Sequence, residues 1–279
     1  INIASIWTVA QVFDLKNNLI LDDYDLDKEK SITQDKYDQI KDLMRTAKVH
    51  IFDECHMAAC KTIQTIASNI NPEHIYGMSA SPWRDDGADL MIESILGKNL
   101  IDISASYLIE HGFLTQPFIK FRVVPKFHEK LPKNYHTIHK RYIVENEVRN
   151  KIILEDLLAM VNAGYKPLIL FNIVKHGDLL FNLCKDKLPI SLLSGKDDQE
   201  IRDKAKNDLE SGKIKAILAS RIFDIGEDIP CASGLILADG GKSTVRTFQR
   251  PGRIIRKYPG KTKAMIRDYY NQVHYLKDH

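Results

Sequence analysis

Four short apolar runs in the second half of the chain, Leu168–Phe171, Ile190–Leu193, Ala216–Ala219 and Gly234–Leu237, alternate with longer amphipathic stretches. Runs of this length, apolar on consecutive positions, are the pattern of strands buried on both faces of a parallel sheet. The stretches around them read as helices: Glu145–Val161, with Ile152, Ile153, Leu157, Leu158 and Val161 on its apolar side, then Asp178–Lys187, Gln199–Ser211 and Ser243–Phe248 onward. Ala264–Arg267 closes the series as a further strand. The fold class is therefore α/β with mainly parallel sheets, in which ligands sit beyond the carboxyl ends of the strands.

The first half carries a shorter version of the same alternation. Ile3–Val12 reads as a strand entering a short helix, and Asp22–Asp35 as an exposed acidic excursion. Lys36–Arg45 reads as a helix with Tyr37, Ile40, Leu43 and Met44 on one face. Val49–Phe52 reads as a buried strand ending at Asp53-Glu54. Ile63, Ile66, Ala67 and Ile70 stripe a helix that Asn71-Pro72 stops, and His74–Met78 is a strand leading into Ser79-Ala80-Ser81. A short helix follows Ser104, and Phe118–Val124 is a strand. At 279 residues the chain accommodates two domains. The expected division is residues 1–124, a linker rich in Lys, His, Pro and Tyr at 125–144, and residues 145–279.

Composition narrows the class. With 44% apolar and 28% charged residues the chain is globular rather than disordered. No apolar run reaches the ~18 residues of a membrane span. There is no charged leader or cleavage pattern, so the expected location is the cytoplasm of a bacterial or phage-infected cell. The four cysteines, Cys55, Cys60, Cys184 and Cys231, lack metal-site spacing and read as buried free thiols. The net charge of +3 conceals an asymmetry: residues 241–279 hold ten Lys or Arg against two Asp, whereas residues 1–60 are acidic. A basic stretch of that density points to a polyanionic partner.

Two separated segments carry the chemistry. Asp53-Glu54 offers two carboxylates at a strand end. Asp53 suits Mg²⁺ held through its water shell, Glu54 suits the orientation of an attacking water, and His56 suits a relay. Gln249-Arg250-Pro251-Gly252-Arg253-Ile254-Ile255-Arg256 offers arginines three residues apart, able to neutralise phosphate charge from a second domain. Taken alone, the first segment reads equally well as a helix-capping pair and the second as a plain basic helix. Ser79-Ala80-Ser81 places two hydroxyls beside a strand end. Ser220 suits a nucleic-acid phosphate, Gly226, Glu227 and Asp228 suit the nucleotide or its arginines, and Ser194-Gly195-Lys196 suits phosphate through backbone amides. The last is no P-loop, because the first spaced glycine and the hydroxyl after the lysine are missing, and G-x-x-x-x-G-K-[ST] is matched nowhere. The chain also begins without Met. The expectation is that the first domain is truncated at its N-terminus and that the chain alone does not hydrolyse ATP.

These residues resemble the superfamily 2 helicases. Asp53-Glu54-Cys55-His56 is similar to motif II of the DEAD/DEAH-box type, Ser79-Ala80-Ser81 to motif III, Phe171–His176 to motif IV, Ala219–Pro230 to motif V and Gln249–Arg256 to motif VI. Gly77–Gly87, Leu108–Leu114 and Arg149-Asn150 are similar to XPB-like and UvsW-type phage helicases. The resemblance implies two RecA-like domains using ATP and Mg²⁺ for DNA translocation, strand separation or branch migration. It implies Glu54, Arg253 and Arg256 as catalytic residues, and Asp53, His56, Gly226, Glu227, Asp228 and Gln249 at the nucleotide. It further implies Ser79, Ala80 and Ser81 as coupling residues, with Thr8, Arg84, His176, Ser194, Gly195 and Ser220 near nucleic acid. The expected partner is DNA, double-stranded or branched in preference to RNA, acted on by a monomer in repair, recombination or replication. Two alternatives stay open: the motor of a restriction or defence complex, and a nucleic-acid-binding remnant that uses no nucleotide.

Overall fold

In the computed structural model, which describes residues 9, 12, 33–80, 87–125, 134–220, 228–239 and 251–272, the chain forms two units, Ile1–Asp102 and Ile103–His279. Thr8, Ser81, Arg84, Gly226, Glu227 and Gln249, and the expected helix at Ser243–Phe248, lie outside the described residues.

The first unit holds helix α1 (Gln34–Thr46), strand β1 (Val49–Asp53), a 3₁₀ turn at Cys55–Ala59, helix α2 (Lys61–Ser68), strand β2 (His74–Met78) and helix α3 (Asp89–Leu96). β1 and β2 pair in parallel, from Val49 opposite His74 to Asp53 opposite Met78. The 3₁₀ turn, α2 and α3 close over Ala58, Ile63 and Ile92. Gly77 is required by that packing. A Cβ there would lie 2.8 Å from Cys55 Cβ and 2.5 Å from Leu96 Cδ1, closer than side chains approach. The expectation of a fully buried β1 is corrected: Val49 is 49% and Ile51 60% exposed. Paired strands meet edge to edge and leave their faces for other elements to cover, and β1 alternates exposed and half-buried positions. α1 forms as the periodicity predicts, yet buries none of its residues.

The second unit is built on a six-stranded, all-parallel sheet in the order β3-β8-β7-β4-β6-β5. Its strands are β3 (Gln116–Val124), β4 (Pro167–Leu170), β5 (Ile190–Leu193), β6 (Ala216–Ala219), β7 (Gly234–Leu237) and β8 (Lys263–Asn271). Every residue of the central β4, β6 and β7 is buried, which is why these runs are apolar at consecutive rather than alternate positions. The helices are α4 (Ala105–Glu110), α5 (Tyr135–His139) running into a π turn at Lys140–Val144, α6 (Glu147–Asn162), α7 (Val174–Cys184) and α8 (Gln199–Glu210). α6 and α7 cover one face of the sheet through Ile153, Leu157, Met160 and Leu180. α8 and the segment bearing Ile254 and Ile255 cover the other, through Ala205 and Leu209.

The expected domain boundary at Val124 is displaced to Asp102. β3 pairs with β8 over nine residues, so it belongs to the second sheet. The expected linker at 125–144 is helical from Tyr135 to Val144, and Ile138, Tyr142 and Ile143 form a small core of their own. Among the described residues no helix is long and apolar enough to cross a membrane.

Candidate functional site

In the first unit, pairing in register brings the chemistry together. Asp53 ends β1 opposite Met78 at the end of β2, so Glu54 and Ser79 leave the sheet side by side. The chain turns sharply at Glu54, which adopts φ 50°, the only positive φ of a non-glycine residue among those described. A side chain in this region costs on the order of 1–3 kcal/mol. The turn is braced by the Glu54 N–H donating to Asp53 Oδ1 at 2.9 Å. It delivers His56 between two partners: its Nδ1 lies 3.1 Å from Ser79 Oγ and 3.3 Å from Glu54 Oε2. His56 is sheltered while Glu54 stays half exposed. The four residues Asp53, Glu54, His56 and Ser79 are thus brought together, with Ala80 exposed beside them. Cys55 beneath them is buried, and burial, with lesser contributions from Glu54 and Asp53, pushes its thiol above the ordinary range, so it serves packing rather than reactivity.

Mg²⁺ keeps several waters and takes only one or two protein carboxylates when phosphates complete its shell. Two exposed carboxylates at the carboxyl end of a strand fit that demand, with Asp53 to hold the ion's water shell. Among the described residues no cluster of three or more His, Cys, Asp or Glu offers a direct metal cage.

In the second unit, Leu193 pairs with Ala219, and the Ser220 N–H donates to Leu193 O at 3.1 Å. Ser194 and Ser220 therefore emerge next to each other at the carboxyl ends of β5 and β6. The amides expected to take phosphate are already used: the Ser194 N–H donates to Asp197 Oδ2 and the Lys196 N–H to Ser194 Oγ. An anion at Ser194-Gly195 would have to displace the Asp197 carboxylate.

His176 is corrected. Expected near nucleic acid, it is wholly buried on α7. Its Nε2 lies 3.0 Å from Asn150 Oδ1. Asn150 Nδ2 donates to Val144 O, so its Oδ1 is an acceptor and His176 Nε2 carries the proton. Burial lowers the imidazole to about 4, outweighing the pull of Asp239, and the ring is neutral at pH 7.

The arginine segment is helical over 251–254 and anchored at its end, where the Thr115 N–H donates to Ile255 O at 2.7 Å. Ile254 and Ile255 are buried against the sheet. Arg253 is half-buried. Arg256 is exposed and sets its Nη1 2.6 Å from Asp228 Oδ2. Nearby, Lys261 Nζ donates to Pro230 O at 3.1 Å. Burial lowers this amine to about 8, against the opposing pull of Cys231 and Asp228.

Sequence reasoning missed one group of residues, Arg149, Asp239 and His139. Asp239 is fully buried, with Oδ1 2.8 Å from His139 Nε2. Burial alone would raise its carboxyl, but the His139 hydrogen bond and the charges of His139 and His176 hold it below its ordinary value. The pair Arg149-Asn150 was visible as a motif. That its guanidinium lies under the helix rather than on its solvent face has no signal in the sequence.

The second unit carries a helicase conserved C-terminal domain, matched over residues 149–258. These matches support a superfamily 2 helicase of the UvsW and XPB type. It is 30% identical over 223 residues to the ATP-dependent DNA helicase uvsW of Enterobacteria phage T4, which takes in 77% of this chain and 44% of that protein. It is 24% identical over 272 residues to the DNA 3'-5' translocase XPB2 of Sulfurisphaera tokodaii, taking in 83% of this chain and 62% of that protein. The chain thus spans about half the length of the curated relatives it matches. Among solved structures, Saccharomyces cerevisiae Dbp5 bound to RNA and ADP BeF3 superposes with a TM-score of 0.55 at 14% identity, over 92% of this chain and 64% of that one. That likeness speaks for the RecA-like α/β fold alone.

Proposed function

We propose that this chain is the motor portion of an ATP-dependent DNA helicase or translocase, acting in repair, recombination or replication. The observation that carries the reading is the bridge of His56 between Glu54 and Ser79, which ties a candidate water-orienting carboxylate to a hydroxyl on the neighbouring strand. The first unit contributes Asp53 toward Mg²⁺ and Glu54 toward the attacking water. In the second unit Arg253 and Arg256 suit the neutralisation of phosphate charge, an electrostatic role for residues on a packed segment. ATP bound with Mg²⁺ supplies the phosphoryl chemistry. Ser79, through His56, passes the state of the carboxylate to the strand end beside it. Ser194 and Ser220, side by side at two strand ends, are placed for backbone phosphates of DNA, which such contacts grip without reading bases. Similarity to proteins named as DNA helicase and DNA translocase supports DNA over RNA.

The test is ATP hydrolysis, with and without DNA, by the full-length protein. DNA should stimulate turnover in the wild type, and Glu54→Gln should abolish the stimulated rate while nucleotide binding persists. Turnover indifferent to Glu54→Gln would end this reading.

A further inference from the structure

The group missed by sequence reasoning lies at the carboxyl ends of β4 and β7, the side on which parallel sheets place their ligands. Arg149, in the first turn of α6, is 1% exposed. Its Nη2 donates to Ala238 O at 2.8 Å and its guanidinium lies 5.0 Å from the Tyr269 ring centre, while Nε and Nη1 make no hydrogen bond among the described residues. The next residue, Asp239, meets His139 through Oδ1 and accepts the Asn172 N–H through Oδ2 at 3.2 Å. Its backbone carbonyl accepts from Asn172 Nδ2, also at 3.2 Å. Two successive residues at the exit of β7 are therefore clamped from three directions: by α6, by the helical stretch before it, and by the exit of β4.

Such a clamp is a costly way to gain stability, because desolvating a guanidinium and a carboxylate consumes most of their attraction, and apolar residues of similar volume often do as well. What a charged clamp supplies is a fixed geometry. Leu235 and Leu237 of β7 belong to the same core cluster as Ile254 and Ile255, so the segment bearing Arg253 and Arg256 is packed into the core that the clamped strand helps to line.

We propose that Asp239, with His139 and Arg149, is a positioning site for the Arg253–Arg256 segment. It holds the exit of β7, and through β7 it sets the seat on which Ile254 and Ile255 rest. Its relevance to turnover rests on the motor reading above; the positioning itself does not.

The deciding measurement is hydrogen exchange, read by mass spectrometry, on the wild type and on Asp239→Asn, which keeps the side-chain shape and removes the charge. Exchange at residues 251–256 should quicken by about 10-fold or more, with 216–219 in β6 unchanged. Change confined to 134–150, or shared equally by 216–219, overturns the proposal. If Asp239→Asn does not fold, His139→Gln, which removes a single contact, is judged by the same readout; if neither folds, the site is a folding requirement and the proposal falls. In an ATPase assay Asp239→Asn should lower kcat about 10-fold at a KM within about 2-fold of wild type, and should cost nothing further in an Arg256→Ala background. An undiminished cost in that background also overturns it. A full-length wild type with no ATPase would sink the motor reading and leave the exchange experiment to decide the positioning.

Discussion

Arg256 and Asp228 form an ion pair at 2.6 Å in which both side chains remain partly open to solvent, 52% and 35% exposed. A pair this exposed is worth about 0–1 kcal/mol to the fold. The guanidinium can therefore exchange its carboxylate for a phosphate at little cost. Arg256→Ala should reduce DNA-stimulated ATP turnover by roughly 10³–10⁵-fold, the range typical of arginine fingers, while shifting the unfolding free energy by less than about 1 kcal/mol. Turnover assays and denaturant titration on the same preparation check both halves.

On the motor reading proposed above, the His56–Ser79 contact serves coupling rather than bond cleavage. Ser79→Ala removes one hydrogen bond of about 1 kcal/mol and leaves Asp53 and Glu54 in place. ATP turnover should persist within about 5-fold, and strand separation per ATP consumed should fall by more. Unwinding and hydrolysis measured side by side give the ratio.

Gly77 offers a test of the fold beneath the site. In Gly77→Ala the new methyl meets Cys55 Cβ, which cannot rotate away. Overpacking of this kind costs about 1–3 kcal/mol. The midpoint of urea unfolding should drop accordingly, and a Cys55→Gly partner change should recover part of the loss by vacating the same space.

His176 sets an acid limit. Its folded pKa of about 4 lies below the unfolded value of 6.5, so below pH 6.5 the unfolded chain binds a proton that the folded chain refuses. The contribution is complete above pH 6.5 and is lost as pH falls from 6.5 to about 4, on the order of 3 kcal/mol in all. Asp239, with a carboxyl held low, adds a further loss only at more acidic pH. Stability measured at steps between pH 7 and 4 should fall with this slope in the wild type and with a shallower one in His176→Gln.

Much of the second unit was legible in the sequence. Ala216–Ala219 and Gly234–Leu237 are strands with the expected bounds, because a strand buried on both faces writes itself as an unbroken apolar run; Ile190–Leu193 is also a strand with the expected bounds, though at the sheet edge and only partly buried. The Asp53-Glu54 strand end was legible for a related reason, since it closes an apolar run and β1 ends at Asp53. The domain boundary was not. β3 lies far from β8 in sequence, and nothing in Gln116–Val124 states which sheet will accept it. His176 was misread because a histidine just after a buried strand looks the same whether its helix turns the ring outward or inward. Arg149 escaped notice for the converse reason: a charged residue in an amphipathic helix is normally solvated, and only the packing of α6 reveals otherwise.

The left-handed turn at Glu54 means that robustness and activity pull in opposite directions at one position. A screen that rewarded heat resistance alone would favour glycine there, since glycine accepts that torsion freely, and would discard the carboxylate the proposed chemistry relies on. On the proposed reading, the wild-type residue gives up durability for work.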